Sequence, residues 1–325
     1  MADLKTTYMG LQLKNPVIAG SSNLTNSIDK IKELEDNGIA AIVLKSIFEE
    51  QISMEIGSIS SDGNITHAEG YDYISQYTKQ FNIENHLKLI RELKEKTDLP
   101  VVASINCISS GEWVDFSEKI SSAGADALEL NMFLLPGDFR KDPEKIENTY
   151  FEIIKAVSNK TDIPISIKIS SYFTSLANTI FRFSLTGIKG IVLFNRFYQP
   201  DINIENMEVV ASDIFSTRRE NSHPLRWIGI LSDNVKCDLA ASTGVHEGED
   251  VLKNILVGAK AVQVVSAIYK NGPAHIKKMI SDLEILMDKK SFSSISDITG
   301  KLSQKNIDNP EIFERAQFMK YFGHI

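Results

Sequence analysis

Short apolar runs recur along the chain, each closed by polar or turn residues and separated from the next by a longer stretch. Runs of this length read as parallel strands buried on both faces. They are Pro16–Gly20, Ala40–Ser46, Pro100–Ile105, Ala125–Asn131, Pro164–Ser170, Gly190–Asn195, Lys236–Ser242 and Ala261–Ala267. Between them, Ser27–Asn37, Ile83–Lys96, Asp142–Asn159 and Gly248–Val257 repeat apolar residues at the three- and four-residue intervals of amphipathic helices. Gly38, Gly124, Gly187 and Gly258 follow helical segments, where a left-handed residue ends a helix. Eight β/α units without a linker predict an α/β fold, a (β/α)8 TIM barrel, rather than an open doubly wound sheet. The expected organisation is a single barrel domain over residues 1–302, with residues 303–325 as a C-terminal extension packing on it.

Leu225–Leu231 has strand propensity, but Pro224 and the spacing of Leu225, Ile228 and Leu231 predict a helix. Two polar stretches, Gln51–Gln80 and Tyr198–Ser222, exceed an ordinary connection. Long loops after barrel strands are walls or lids of a site. In the tail, Pro310–Tyr321 has helical spacing.

Composition narrows the function classes. The 325 residues suit one large barrel or two ordinary domains, and 42% hydrophobic content is ample for a core. A net charge of −8 argues against nucleic acid as a partner, because the dominant phosphate term would be repulsive. Cys107 and Cys237 match no disulfide or zinc framework, so no metal is expected. The N-terminus lacks a signal-peptide core and no run approaches membrane-spanning length. A cytoplasmic protein with no membrane partner is expected.

Chemistry concentrates at the ends of the runs. Lys45-Ser46 closes one strand, and Lys168 is followed by Ile169-Ser170 at the end of another; Asn131 and Asn195 close two more. A buried unpaired ammonium is costly, so each lysine must reach something anionic or electron-rich at the mouth of the sheet. That mouth is where α/β folds bind ligands. The set predicts a flat, polar, negatively charged ligand.

These positions carry a resemblance. Asn15–Ser21, Val43–Ser46, Glu129–Asn131, Ser166–Phe173, Phe194-Asn195, Ser242–Asp250 and Val262–Ala267, in this order, resemble the class 1 dihydroorotate dehydrogenases, flavin mononucleotide (FMN) enzymes on a (β/α)8 barrel. The likeness runs from Leu4 to Leu302. It implies that FMN is held by Gly20, Ser21, Lys45, Ser46, Asn131, Lys168, Asn195, Thr243, Gly244, Val265 and Ser266. Lys168 takes the place of the lysine at flavin N1/O2, where an ammonium stabilises the charge that builds up on reduction. Thr243-Gly244 and Val265-Ser266 take the place of the phosphate-holding strand ends. Lys45, Asn131, Asn195 and Arg196 are the implied substrate-binding residues, the asparagines bonding a planar pyrimidine.

The chain departs from the family pattern at three places. Where the family carries its catalytic base, in Asn-Leu-Ser-Cys-Pro-Asn, this chain reads Asn131-Met132-Phe133-Leu134-Leu135-Pro136-Gly137, and Leu134 cannot accept a proton. The family's Asn-Ser-Met-Gly is replaced by Thr66-His67-Ala68-Glu69-Gly70, and its glycine-rich phosphate loop by Ser216-Thr217-Arg218-Arg219-Glu220. The two arginines suit phosphate or an anionic substrate. Substitute bases are His67, with its intrinsic pKa, and Cys107, a thiol at the same rim. Tyr198 and Tyr71 are candidate donors. Cys237 reads as structural, and His246 as a helix cap.

The expected function is an FMN-dependent oxidoreductase acting on a CH–CH bond of a small planar anion, dihydroorotate or a relative, in pyrimidine biosynthesis. Two alternatives stand beside it: a flavin- or phosphate-binding barrel without dehydrogenase activity, and an aldolase or isomerase using Lys168. The chain holds no iron–sulphur or dinucleotide motif, so electrons are expected to pass to a soluble acceptor or a partner redox protein. A homodimer is compatible with the resemblance.

Overall fold

The computed structural model of the protein describes residues 2–48, 68–106, 110–132, 134–197 and 199–314. Eight parallel strands form a closed ring: β1 (Val17–Ala19), β2 (Ala41–Val43), β3 (Val101–Asn106), β4 (Ala127–Asn131), β5 (Ile165–Ile169), β6 (Gly190–Leu193), β7 (Asp238–Ser242) and β8 (Ala261–Val264). Each strand pairs with its neighbours in sequence, and β8 pairs with β1 to close the ring. The expected (β/α)8 barrel is the observed architecture. Gly38, Gly124, Gly187 and Gly258 all have positive φ, as their positions after helices require.

Helices clothe the ring: α1 (Ile28–Asp36), α2 (Ala68–Lys96), α3 (Ser110–Ser122), α4 (Pro143–Ser158), α5 (Leu176–Ser184), α6 (Ser222–Leu231), α7 (Gly248–Leu256), α8 (Ser266–Asn271) and α9 (His275–Lys289). Helix α4 illustrates the local logic. Asp142 accepts a hydrogen bond from the Glu144 N–H at 3.0 Å, Pro143 opens the first turn, and Tyr150, Ile153, Ile154 and Val157 bury one stripe. Leu225–Leu231 lies within α6, as its spacing predicts.

Several expected boundaries move. The run Ala261–Ala267 is strand only to Val264, and Ser266 and Ala267 already belong to α8. In the expected loop Gln51–Gln80, residues 68–80 are the start of α2, while residues 51–67 lie outside the described residues. The stretch Tyr198–Ser222 contains an antiparallel hairpin, Pro200–Asn203 with Glu208–Ala211, and then the helical turn Arg218–Asn221. The hairpin leaves Ile202, Ile204, Met207 and Val209 exposed. Past residue 302, Ser303 bonds the Asp233 carboxylate, and Phe313 packs on Gly229 of α6. Residues 315–325 lie outside the described residues. Among the described residues, no helix is long and apolar enough to cross a membrane.

The strands bury both faces. One set of side chains, including Val17, Ile42, Leu130, Ile167 and Leu193, packs under the helices. The alternate set (Ile18, Ala41, Val43, Val102, Ala127, Val192, Ala240 and Ala261) fills the lower barrel with Tyr8, Met9 and Leu13. Small residues dominate because an eight-stranded ring has room for little more. An N-terminal hairpin, Thr6–Tyr8 with Leu11–Leu13, closes the floor, pinned by the Met9 N–H donating to Asp238 Oδ2 at 2.8 Å. Gly190 is required there: a Cβ would lie 2.8 Å from the Tyr8 hydroxyl oxygen and 2.9 Å from Met9 Cγ.

His86 on α2 is buried beside Phe116, and its Nε2 has no hydrogen-bond partner. Burial pushes its pKa down to about 4 from 6.5. The folded state therefore binds that proton less readily than the unfolded chain, so stability is complete above about pH 6.5 and falls as the pH drops toward 4. His86→Leu should reduce the acid loss of unfolding free energy by up to about 3 kcal/mol. Urea unfolding at a series of pH values checks this; equal acid sensitivity of both proteins would refute it.

Candidate active site

A cavity of about 610 Å³ opens over the carboxyl ends of the strands, within the roughly 300–1,000 Å³ usual for small-molecule and cofactor sites. Its lining includes Ser21, Lys45, Asn131, Lys168, Asn195, Arg196, Thr243, Gly244, Val265 and Ser266, so residues from seven strand ends converge there. Two expected members are placed differently. Gly20 does not line the cavity; its missing side chain makes room for Val265 Cγ2, which would lie 2.8 Å from a Cβ. Ser46 is buried behind the wall.

Ser46 joins a ladder of hydroxyls. Its Oγ lies 3.0 Å from Ser21 Oγ and 2.6 Å from Ser104 Oγ, and its N–H donates to Ser21 Oγ at 2.9 Å. This ladder ties the loop after β1 to the ends of β2 and β3. Asn131 Nδ2 leans on Ser46 Oγ at 3.4 Å, while its buried Oδ1 has no partner. A buried unpaired acceptor on a cavity wall marks a place for a ligand donor. Asn195 spends its Nδ2 on the carbonyls of Lys168 and Met132, at 3.1 and 3.5 Å. The Leu193–Phe194 peptide just before it is cis.

The two lysines differ in environment. Among the described residues, Lys45 Nζ has no hydrogen-bond partner and faces the cavity half-buried. Lys168 Nζ donates to Gln263 Oε1 at 2.8 Å, and Gln263 Nε2 donates to Glu129 Oε2 at 2.5 Å. Burial pulls the Lys168 pKa down, and the Glu129 charge works against that pull. Burial pushes Glu129 up, opposed by Lys168 and by the Gln263 hydrogen bond. Glu129 and Gln263 were not among the residues expected at the site.

The arginines are committed elsewhere. Arg196 lines the cavity, but its guanidinium donates to Glu220 Oε2 at 2.7 Å and to the Ile214 and Asp213 carbonyls at 2.9 Å. It staples the segment after the exposed hairpin and has little left for substrate. Arg218 is taken by Asp250 and Glu249, at 2.8 and 2.9 Å, and neither Arg218 nor Arg219 lines the cavity.

At the far end, Ser216 lines the cavity instead. Its N–H donates to Ser266 Oγ at 3.0 Å, its Oγ lies 3.0 Å from His246 Nε2 and accepts from the Gly244 N–H at 3.4 Å, and Lys270 Nζ donates to its carbonyl at 2.8 Å. His246 is therefore not a helix cap. Glu247 is the N-cap of α7, in a capping box with Asp250. Burial, with Lys270 alongside, holds His246 below its ordinary pKa. Cys237 sits just before β7 at the opposite end, its thiol pushed up to about 12 by burial and Asp238.

Leu134 packs half-buried against the core, with no acid–base group at that position. His67, Cys107 and Tyr198 lie outside the described residues, as does the side chain of Tyr71.

The chain matches the family model for dihydroorotate dehydrogenase over residues 3–287. It is 26% identical to dihydroorotate dehydrogenase B (NAD(+)), catalytic subunit, of Thermoplasma acidophilum, across 92% of this chain and 99% of that protein. It is also 26% identical to dihydroorotate dehydrogenase A (fumarate) of Lactococcus lactis subsp. lactis, again over 92% and 99%. A putative dihydroorotate dehydrogenase A (fumarate) of Aeropyrum pernix is 27% identical over 66% of this chain and 71% of its own length.

Gly244 has a φ of +80°, and a Cβ on it would collide with the Asn221 backbone nitrogen. Gly244→Ala should destabilise the protein by about 1–3 kcal/mol and push the turn Arg218–Asn221 away from the loop after β7. Denaturant unfolding measures the first effect; an unchanged midpoint would show that the two segments are not in contact.

Proposed function

Since the chain belongs to the dihydroorotate dehydrogenase family, its model spanning residues 3–287, we propose that it is an FMN-dependent oxidoreductase acting on the CH–CH bond of a small planar anion. The observation that carries this reading is the Lys168 ammonium, held inside the barrel by Gln263 and presented to a ligand-sized cavity beside Lys45. A flavin supplies the electron-accepting ring for the two electrons and hydrogen of such a bond.

The residues present fit that cofactor. Lys168 would set a cation where the isoalloxazine gains negative charge, and Asn131 Oδ1 is an unpaired acceptor suited to a ring or substrate N–H. Thr243, Gly244, Ser216 and Ser266 offer hydroxyl and N–H groups for a phosphate, with Lys270 adding positive charge nearby. Lys45, without a partner among the described residues, is the cation left for the substrate's anionic group. Asn195 orients the rim by fixing the carbonyls of Lys168 and Met132.

The substrate is dihydroorotate or a close relative. Leu134 favours a second reading beside full turnover: flavin binding with slow oxidation of dihydroorotate. Loss of a general base commonly lowers rate by a factor on the order of 10² to 10⁴. The names of the relatives point to NAD(+) in one group and fumarate in the other, so the acceptor is either a small soluble oxidant or one reached through a partner subunit.

Two outcomes are expected. The purified protein carries FMN non-covalently, and Lys168→Ala loses it or lowers its reduction potential; protein that stays colourless with excess FMN would refute the cofactor. Anaerobic bleaching by dihydroorotate is slow in the wild type and faster in Leu134→Cys, by stopped-flow absorbance. A wild type that bleaches at a rate the Leu134→Cys change does not improve would place the base elsewhere.

A further inference from the structure

Beneath the mouth, the interior of the barrel holds a column of polar groups that the lower layers lack. Glu129 on β4, Lys168 on β5 and Gln263 on β8 point into it, and Glu129 lies in register with Ser166 on β5. Glu129 is 1% exposed and Gln263 3%. A carboxylate that deep is retained only with compensation, because desolvation disfavours its charge. Its Oε2 takes the Gln263 amide, while its Oε1, the Ser166 hydroxyl and the Tyr8 hydroxyl have no hydrogen-bond partner.

The Gln263 amide is polar at both ends, and both ends are used. Its NH2 faces the carboxylate and its oxygen faces the ammonium. Rotating the amide by half a turn would set NH2 against ammonium and oxygen against carboxylate. The two charges therefore lock the amide, and the locked amide places an acceptor under Lys168 Nζ.

We propose that Glu129 is a positioning residue for Lys168: through Gln263 it keeps an ammonium, not a neutral amine, beneath the electron-rich edge of the bound ligand. This rests on the flavin reading above and adds to it a group that touches neither flavin nor substrate. The other titratable groups around the pair are few. Tyr8 faces Glu129 from the floor hairpin, with Asp238 and Cys237 beyond it, and Lys45 and Arg196 look onto the same cavity from the rim. Burial, then Glu129, raises the Tyr8 pKa well above its ordinary value, so that phenol stays neutral. Glu129 is the only anion acting on Lys168 among the described residues.

The test is the midpoint potential of FMN bound to the full-length protein, followed from about pH 5 to about pH 10. A lysine at the ligand that loses its proton within this range bends the plot of potential against pH. In Glu129→Gln, nearly the same size but uncharged, the bend should move down by about one to three pH units, the effect of removing one close opposite charge. Gln263→Met keeps both charges and removes the bridge; it should move the bend in the same direction by less. It also decides the matter if Glu129→Gln fails to fold. Superimposable plots for folded, flavin-loaded variants overturn the inference alone, even if their thermal unfolding changes, since a merely structural role would move only stability. A wild type that takes up no flavin overturns the cofactor reading and this inference with it.

Discussion

An ammonium carried inside a ring of eight strands is the constraint on which the upper half of this structure depends. The ring is narrow, and its lower layers are filled by alanine, valine and Ile18 with Tyr8, Met9 and Leu13 from the floor hairpin. Lys168 cannot enter such a space alone, because an unpaired buried charge would be neutralised or expelled. Glu129 answers it from the neighbouring strand, and Gln263 answers both from across the barrel. Those three side chains occupy the level where a TIM barrel would otherwise place branched aliphatic residues. On the rim above them, Lys45 has no partner among the described residues and remains available to a ligand.

The rim itself is held by polar contacts that face away from the cavity. Ser21, Ser46 and Ser104 zip three strand ends together. Arg196 would be an obvious anion ligand, yet its donors fasten the segment 213–215. Glu220 is held below its ordinary pKa: burial would raise it, but Arg196 and the Thr217 N–H outweigh that. This geometry exchanges one cation at the site for a fixed wall. Pre-organised polar groups are worth more to a reaction than mobile ones, because no reorganisation is needed when charge develops.

Much of this was legible in the chain because strand ends are legible. Lys45, Asn131, Lys168 and Asn195 each interrupt an apolar run, and a polar residue there has nowhere to go but the mouth. Glu129 and Gln263 escaped notice for the opposite reason. They lie inside their runs, and their pairing joins positions 134 residues apart, which no local pattern reveals. Ser266 falls in an expected strand because the mostly apolar run Ala261–Ala267 spans both a strand end and a helix start. The hairpin at Pro200–Ala211 was hidden because its apolar residues face solvent, so alternation there marks no core. The commitments of Arg196 and Arg218 were equally invisible, since ion-pair partners 24 and 32 residues away leave no spacing signature.

The floor closed by Tyr8 and Met9 makes the barrel a cup rather than a tube. Among the described residues, the hairpin side chains fill the narrow end beneath Lys168, and Gly190 lets them sit flush against β6. A substrate and a small soluble oxidant that both met a ligand in the cup would share this brim and take turns there. A shared doorway makes each an obstacle to the other, so crowding by an excess of either one is the traffic pattern that such a vessel imposes.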